Sequence, residues 1–152
     1  MLTDVINEVK GIVAGIANVG KVNAYRRAVS AESDFLDAYK DDATGMIRAW
    51  DITRESTVSN DRTVGATEER HTLVIRGFLS VSDKNASEQT FQNLIEDVRS
   101  ALRAKRNLNG TVIDTTPVQA RTVTAATVGN VLCHYCELSF EAIEFPIATE
   151  RK

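Results

Sequence analysis

The chain has 152 residues, 43% of them hydrophobic, and a formal charge of −3 from 18 basic and 21 acidic side chains. That length supports one domain with a real core rather than two. The basic residues are scattered among the acidic ones, which excludes the basic field that duplex DNA binding needs.

Leu2, Val5, Ile6, Val9, Ile12, Val13 and Ile16 recur at helical spacing, with Thr3 or Asp4 available to cap the start. Asp4 and Glu8 stand where a secretory signal would be basic, and the apolar residues are periodic rather than continuous, so the reading is a soluble cytoplasmic chain with no membrane span. Gly11 and Gly15, each costing roughly 1 kcal/mol against alanine in a helix, leave two readings open: close packing of another backbone, or simple tolerance. Asn18 to Gly20 ends the helix, Lys21 to Tyr25 reads as extended, and Tyr25-Arg26-Arg27 as a solvated turn. Ser30 to Asp42 predicts a shorter helix burying Phe35, Leu36 and Tyr39, closed off by Gly45.

From Met46 to Thr57 period two predicts a strand with Met46, Trp50 and Ile52 on one face, shared with Arg48 and Arg54. Val58 to Glu69 is polar, carries Asn60, Asp61, Arg62 and Gly65, and reads as a loop too long for an ordinary hairpin. Loops of that length tend to touch something. Arg70 to Val81 is the strongest strand, with His71, Leu73, Ile75, Leu79 and Val81 on one face and Val74 and Phe78 on the other. Two apolar faces suit a central strand, or one covered by a partner chain.

Asn85 to Arg106 is the segment around which the rest is organised. Phe91, Leu94, Ile95, Val98 and Leu102 make one apolar stripe; Asn85 and Glu88 read as a capping box; Arg99, Arg103, Lys105 and Arg106 suit the negative end of the dipole. Leu108 to Gly110 stops the helix, and Thr111 to Pro117 reads as a linker. Val118 to Ala126 alternates weakly, and after the turn Val128-Gly129-Asn130 a long strand runs from Val131 to Glu144. The expected fold is α+β: two antiparallel hairpins forming a sheet covered by the N-terminal helix and the long central amphipathic helix. It is read as a single domain over 1–152, with 1–145 the core and 146–152 a flexible tail.

Cys133-His134-Tyr135-Cys136 has the spacing of a zinc or redox pair, but on a strand residues i and i+3 point to opposite faces, so buried thiols are the simpler reading. These are the only cysteines, which fits a reducing compartment. His71 and His134 lie in strands without a nucleophile elbow, and there is no glycine-rich phosphate loop. No catalytic, cofactor-binding or metal-binding residue is expected. Trp50 with Arg48 and Arg54, and Phe78 with Arg76, form an aromatic and arginine mixture that fits either an interface or a core with surface arginines.

Three stretches, Gly20-Lys21-Val22-Asn23-Ala24-Tyr25, Ile47-Arg48-Ala49-Trp50-Asp51-Ile52-Thr53-Arg54 and Val131-Leu132-Cys133-His134-Tyr135-Cys136-Glu137-Leu138, resemble small tail terminator or tail completion proteins of long-tailed bacteriophages, of the phage lambda type. The resemblance implies a structural virion protein, not an enzyme, with no cofactor. It would form a ring of six copies that caps the tail tube, stops its polymerisation and offers a surface to the head. Its partners would be the tube protein and the head connector or neck proteins, with DNA only as passing cargo and no membrane. It would be assembled in the host cytoplasm and reside at the head-proximal end of the tail. The expected interface comprises Arg48, Trp50, Arg54, Asn60, Asp61, Arg62, Arg76 and Phe78, and replacing Phe78 by Asp is expected to abolish assembly while leaving a folded monomer. The alternatives are a head-to-tail neck or adaptor protein, a small enzyme using His71 or His134, and a metal-stabilised binding module.

Overall fold

A computed structural model describes residues 2–25, 39–40, 46–63, 66–82, 86–128 and 131–145. Most of the expected helix at 30–42, its stop at Gly45, Arg26 and Arg27, Asn85, the turn at 129–130 and the tail at 146–152 lie outside them. In chain order the elements are α1 (Leu2–Ala14), β1 (Lys21–Asn23), β2 (Arg48–Thr63), β3 (Ala66–Ser80), α2 (Ser87–Arg103), β4 (Asp114–Thr115), β5 (Gln119–Val128) and β6 (Val131–Glu144).

The architecture corrects the one expected. The chain is mostly strand, and its sheet is curled and mixed, in the order β1-β2-β3-β6-β4 with β5 also paired to β6, rather than two hairpins covered by a long central helix. Three features hidden from periodicity make the difference. β1 is only three residues long and runs parallel to β2, pairing Val22 with Trp50. β4 lies inside the expected linker and pairs Thr115 with Ala142. At 58–63 and 66–69 the polar stretch is strand rather than loop, with Gly65 outside the described residues: β2 and β3 stay paired through Asn60↔Glu68 and Asp61↔Thr67 to Thr63↔Ala66. Among the described residues its outer part has no third strand or helix to bury a face against, which fits its lack of apolar alternation.

Alternation along β2, β3 and β6 divides the core in two. On one side Trp50, Ile52, Leu73, Ile75, Leu79, Cys136, Leu138, Phe140 and Ala142 pack with the stripes of α1 (Val5, Val9, Val13) and α2 (Phe91, Leu94, Ile95, Val98, Leu102). Trp50 is the centre of that layer. It stacks on Phe91 at 5.9 Å, its Nε1 donates to the Val19 carbonyl at 2.9 Å, and it lies over its cross-strand partner Gly77, where any Cβ would collide with the indole. Gly77 is therefore a space requirement of the tryptophan. At Gly11 and Gly15 an added Cβ would meet open space or an ordinary contact, so the tolerance reading holds for both.

On the other side, Tyr39, Ile47, Ala49, Phe78 and Cys133 form a smaller cluster with Val131 and Tyr135 partly buried against it. β3 is central, between β2 and β6, which accounts for apolar residues on both its faces. The start of α2 also differs from expectation: the N-cap is Ala86, left-handed at φ 53°, with no side-chain cap hydrogen bond. Ser87 ties the approach to the helix rather than capping it: its Oγ accepts from the Ser82 amide at 2.7 Å and its amide donates to the Ser82 carbonyl at 3.1 Å.

Candidate interaction surface

The outer half of the β2–β3 hairpin is an arm. β6 follows β3 as far as the pair Glu69↔Glu144, and beyond it β2 continues over 60–63 paired with 66–68 of β3. At the rise of a strand that is roughly 10–13 Å of projecting hairpin. One face carries a charge ladder: the Arg62 guanidinium donates to Glu68 at 2.8 Å, Arg70 donates to Glu68 at 2.9 Å and to Glu141 at 3.2 Å. The hydrogen bond from Arg62, then that from Arg70, holds the Glu68 carboxyl below the usual glutamate range. On the opposite face Thr67 donates to Asp61 and Ser59 to Glu69, both at 3.0 Å. Val58, 55% exposed, is an apolar residue left in water at the arm's root.

The second feature is the face of the sheet away from α1 and α2. Arg121 of β5 donates to Glu55 of β2 at 2.9 Å and pairs with Glu137 of β6 at 3.1 Å. Three strand spacings of about 4.8 Å would separate β5 from β2 by about 14 Å on a flat sheet, close to the full reach of an arginine and a glutamate, and the curl of the sheet shortens that span and makes the face concave. Thr53, Arg54, Glu55, Val74, Arg76, Arg121, Tyr135 and Glu137 line a cleft there of about 310 Å³.

The cleft is polar and internally matched. Asp51, fully buried, accepts from Arg76 Nε at 2.9 Å and Nη2 at 2.6 Å and from the Tyr39 hydroxyl at 2.7 Å. Burial opposes the Arg76 charge, but the hydrogen bond and charge of Asp51 outweigh it and the guanidinium is held more firmly protonated than usual. Tyr135 donates to Glu137 at 2.7 Å; burial, then that carboxylate, pushes the phenol up to about 12, while the same bond holds Glu137 below its ordinary value. Each carboxylate here has a guanidinium partner, an arrangement that fixes shape and charge pattern. A general acid or base, by contrast, needs a pKa near working pH.

The expected interface residues separate into three groups. Asn60, Asp61 and Arg62 are exposed on the arm, and Arg54 is exposed near its root, donating to Thr57 at 2.9 Å. Arg76 lines the cleft, with its guanidinium 5.4 Å from the Phe78 ring centre. Trp50 and Phe78, 1% and 5% exposed, are core residues of opposite faces, and Arg48 is half-buried beside α1's end, donating to the Asn18 carbonyl at 3.2 Å. For Trp50 the core reading replaces the interface reading. Phe78 sits between Tyr39 at 5.0 Å and Tyr135 at 5.2 Å, so an aspartate there would be buried among rings and would unfold the chain rather than leave a competent monomer.

Sequence reasoning missed Glu55, Arg121 and Glu137. Arg121 is the lone charge in a threonine and alanine strand, a visible signal, but its partners depend on sheet curl. Cys133 and Cys136 belong to opposite clusters, and burial pushes their thiols up to about 11 and about 12, which removes the thiolate that redox or metal chemistry would use. His134 is held by Ser87 at 2.8 Å and stacks on Phe91 at 5.7 Å. His71 is held between the Thr57 hydroxyl and Glu144, each at 2.8 Å. Among the described residues no helix is long and apolar enough to cross a membrane. In comparisons with known protein families and with curated proteins, nothing matches this chain.

Proposed function

We propose that this chain is a structural assembly protein of the phage tail terminator type, forming a closed ring at the head-proximal end of a tail tube and stopping its polymerisation. The three stretches that resemble such proteins motivate the reading, and the observation that carries it is the arm. A projecting hairpin that pairs its charges with one another and, among the described residues, buries no apolar side chain is poorly explained by the needs of a monomer's core, and suits contact with a neighbour.

Two further features support it. Among the described residues β2 beyond Asp51 pairs only with β3, and β5 pairs only with β6, so the sheet ends in open edges on both sides. Unlike edges on opposite sides allow head-to-tail contacts, which close into a ring when the rotation per copy permits. The arm and the concave cleft then meet tube and head partners, and a net charge of −3 per copy is compatible with DNA passing through. No reaction is assigned, because the charged groups of the cleft are matched to one another.

The test is electron microscopy of lysates after deletion of the gene from its phage. Overlong tubes beside filled, tailless heads are expected. Tails of normal length lying apart from heads would replace termination by a neck role, and infectious particles of normal form would overturn the proposal.

A further inference from the structure

We propose that Glu69, His71 and Glu144 form a three-ligand site for a divalent first-row transition ion, with Zn²⁺ as the reference, at the root of the arm. The site is independent of the terminator reading. Its starting point is the register of β3 and β6, which sets Glu69 directly opposite Glu144, with His71 two residues along β3 on the same face. Two carboxylates directly opposed across a strand pair destabilise it, whereas a cation shared between them makes the same pair attractive.

The distances suit an ion. One ligand atom from each residue lies within 4.8 Å of the other two, and His71 Nε2 is 2.8 Å from Glu144 Oε1. Ligands about 2.1 Å from a tetrahedral zinc are about 3.4 Å apart, so a small rotamer adjustment of Glu69 completes the set. The metal takes the Nε2 lone pair of the neutral tautomer whose proton sits on Nδ1 and is donated to Thr57 Oγ1, so the ring stays neutral and the His71–Glu144 hydrogen bond becomes a shared coordination.

Ligands in metal sites are held from behind, and these are. Ser59 donates to Glu69 Oε2 at 3.0 Å, and Thr57 Oγ1 lies 2.8 Å from His71 Nδ1 while accepting from Arg54 at 2.9 Å. His71 is only 4% exposed, and the Glu144 side chain is 12% exposed, so the site is sheltered, with its carboxylate side reached by water. One imidazole with two carboxylates favours Zn²⁺ or Mn²⁺ over Ca²⁺ and Mg²⁺, which prefer all-oxygen shells. Coordination would tie β3 to β6 at the last residues they share, and β2 through Thr57 and Ser59. The ion thereby sets the angle at which the arm leaves the sheet.

The experiment is titration of the chelator-treated full chain with ZnCl₂ in a calorimeter, with MgCl₂ and CaCl₂ in parallel. The expected result is one Zn²⁺ per chain, bound at least about tenfold more weakly by Glu69→Gln and by Glu144→Gln and unchanged by Cys133→Ser with Cys136→Ser. Circular dichroism of the variants without metal checks that they are folded; should Glu144→Gln not fold, Glu69→Gln, on the more open side, decides. Absence of saturable zinc binding, binding untouched by the carboxamide variants, binding lost with the cysteines, or Mg²⁺ bound as tightly as Zn²⁺ would each overturn the proposal.

Discussion

On the helix side of β2, Trp50 lies over Gly77 and stacks on Phe91; one residue further, on the concave side, Asp51 is clasped by Arg76 and Tyr39. Strand alternation thus gives neighbouring residues opposite physics. The helix side is held by apolar area and shape, so its residues are exchangeable only within narrow volumes. The concave side and the arm carry matched charges, and exposed ion pairs of that kind add little net stability. On the proposed function recognition falls to that side and folding to the other, and substitutions should sort accordingly.

The sharpest way to break that division is Trp50→Ala. Removal of the ring from the central layer is expected to cost about 3–5 kcal/mol, read from urea unfolding. A loss below about 1 kcal/mol would mean that the helix side is not the stabilising one. Next comes Arg76→Ala, which leaves the Asp51 carboxylate buried beside Tyr39; about 3 kcal/mol is expected, and Asp51→Asn in the same chain should recover part of it. If Asp51→Asn recovers nothing, the arginine acts through packing and not through charge.

Acid sharpens the comparison further. Glu68 and Glu137 have folded-state pKa values below the ordinary glutamate value, for which the hydrogen bonds from Arg62 and from Tyr135 respectively are the largest causes. Their contribution is complete above about pH 4.3 and is lost as pH falls through the lowered values. Protection of the arm's amides against exchange should therefore fall below about pH 4.3 ahead of that in α2, whose buried stripe is apolar. The smallest effect is expected for Arg62→Ala, whose side chain is 53% exposed: within about 0.5 kcal/mol of the parent in stability.

How much of this was written in the sequence follows the same division. The stripe Phe91, Leu94, Ile95, Val98 and Leu102 is buried as spacing predicts, and so are Val5, Val9 and Val13, because burial of a helix face leaves a period in the chain. The sheet was less legible. The arm's strands are polar on both faces and read as a loop; β1 and β4 are three and two residues long, too short for any period. Trp50 and Phe78 share an aromatic and arginine neighbourhood on paper, yet strand parity places them in opposite cores. The concave cleft depends on register and curl: Glu55, Arg121 and Glu137 are far apart in sequence and meet where β5 bends round towards β2. The Glu69, His71 and Glu144 cluster is likewise a product of register, and histidine spacing alone gave no sign of it.

On the proposed function the arm serves assembly rather than stability. The most direct test is to supply the gene-deleted phage with a chain carrying alanine at Asn60, Asp61 and Arg62 and to measure tail lengths by electron microscopy. The expected result is a protein that unfolds at the parent's urea concentration yet leaves overlong tubes, as the deletion does. Tails of normal length on infectious particles would contradict it and return the arm to a structural role.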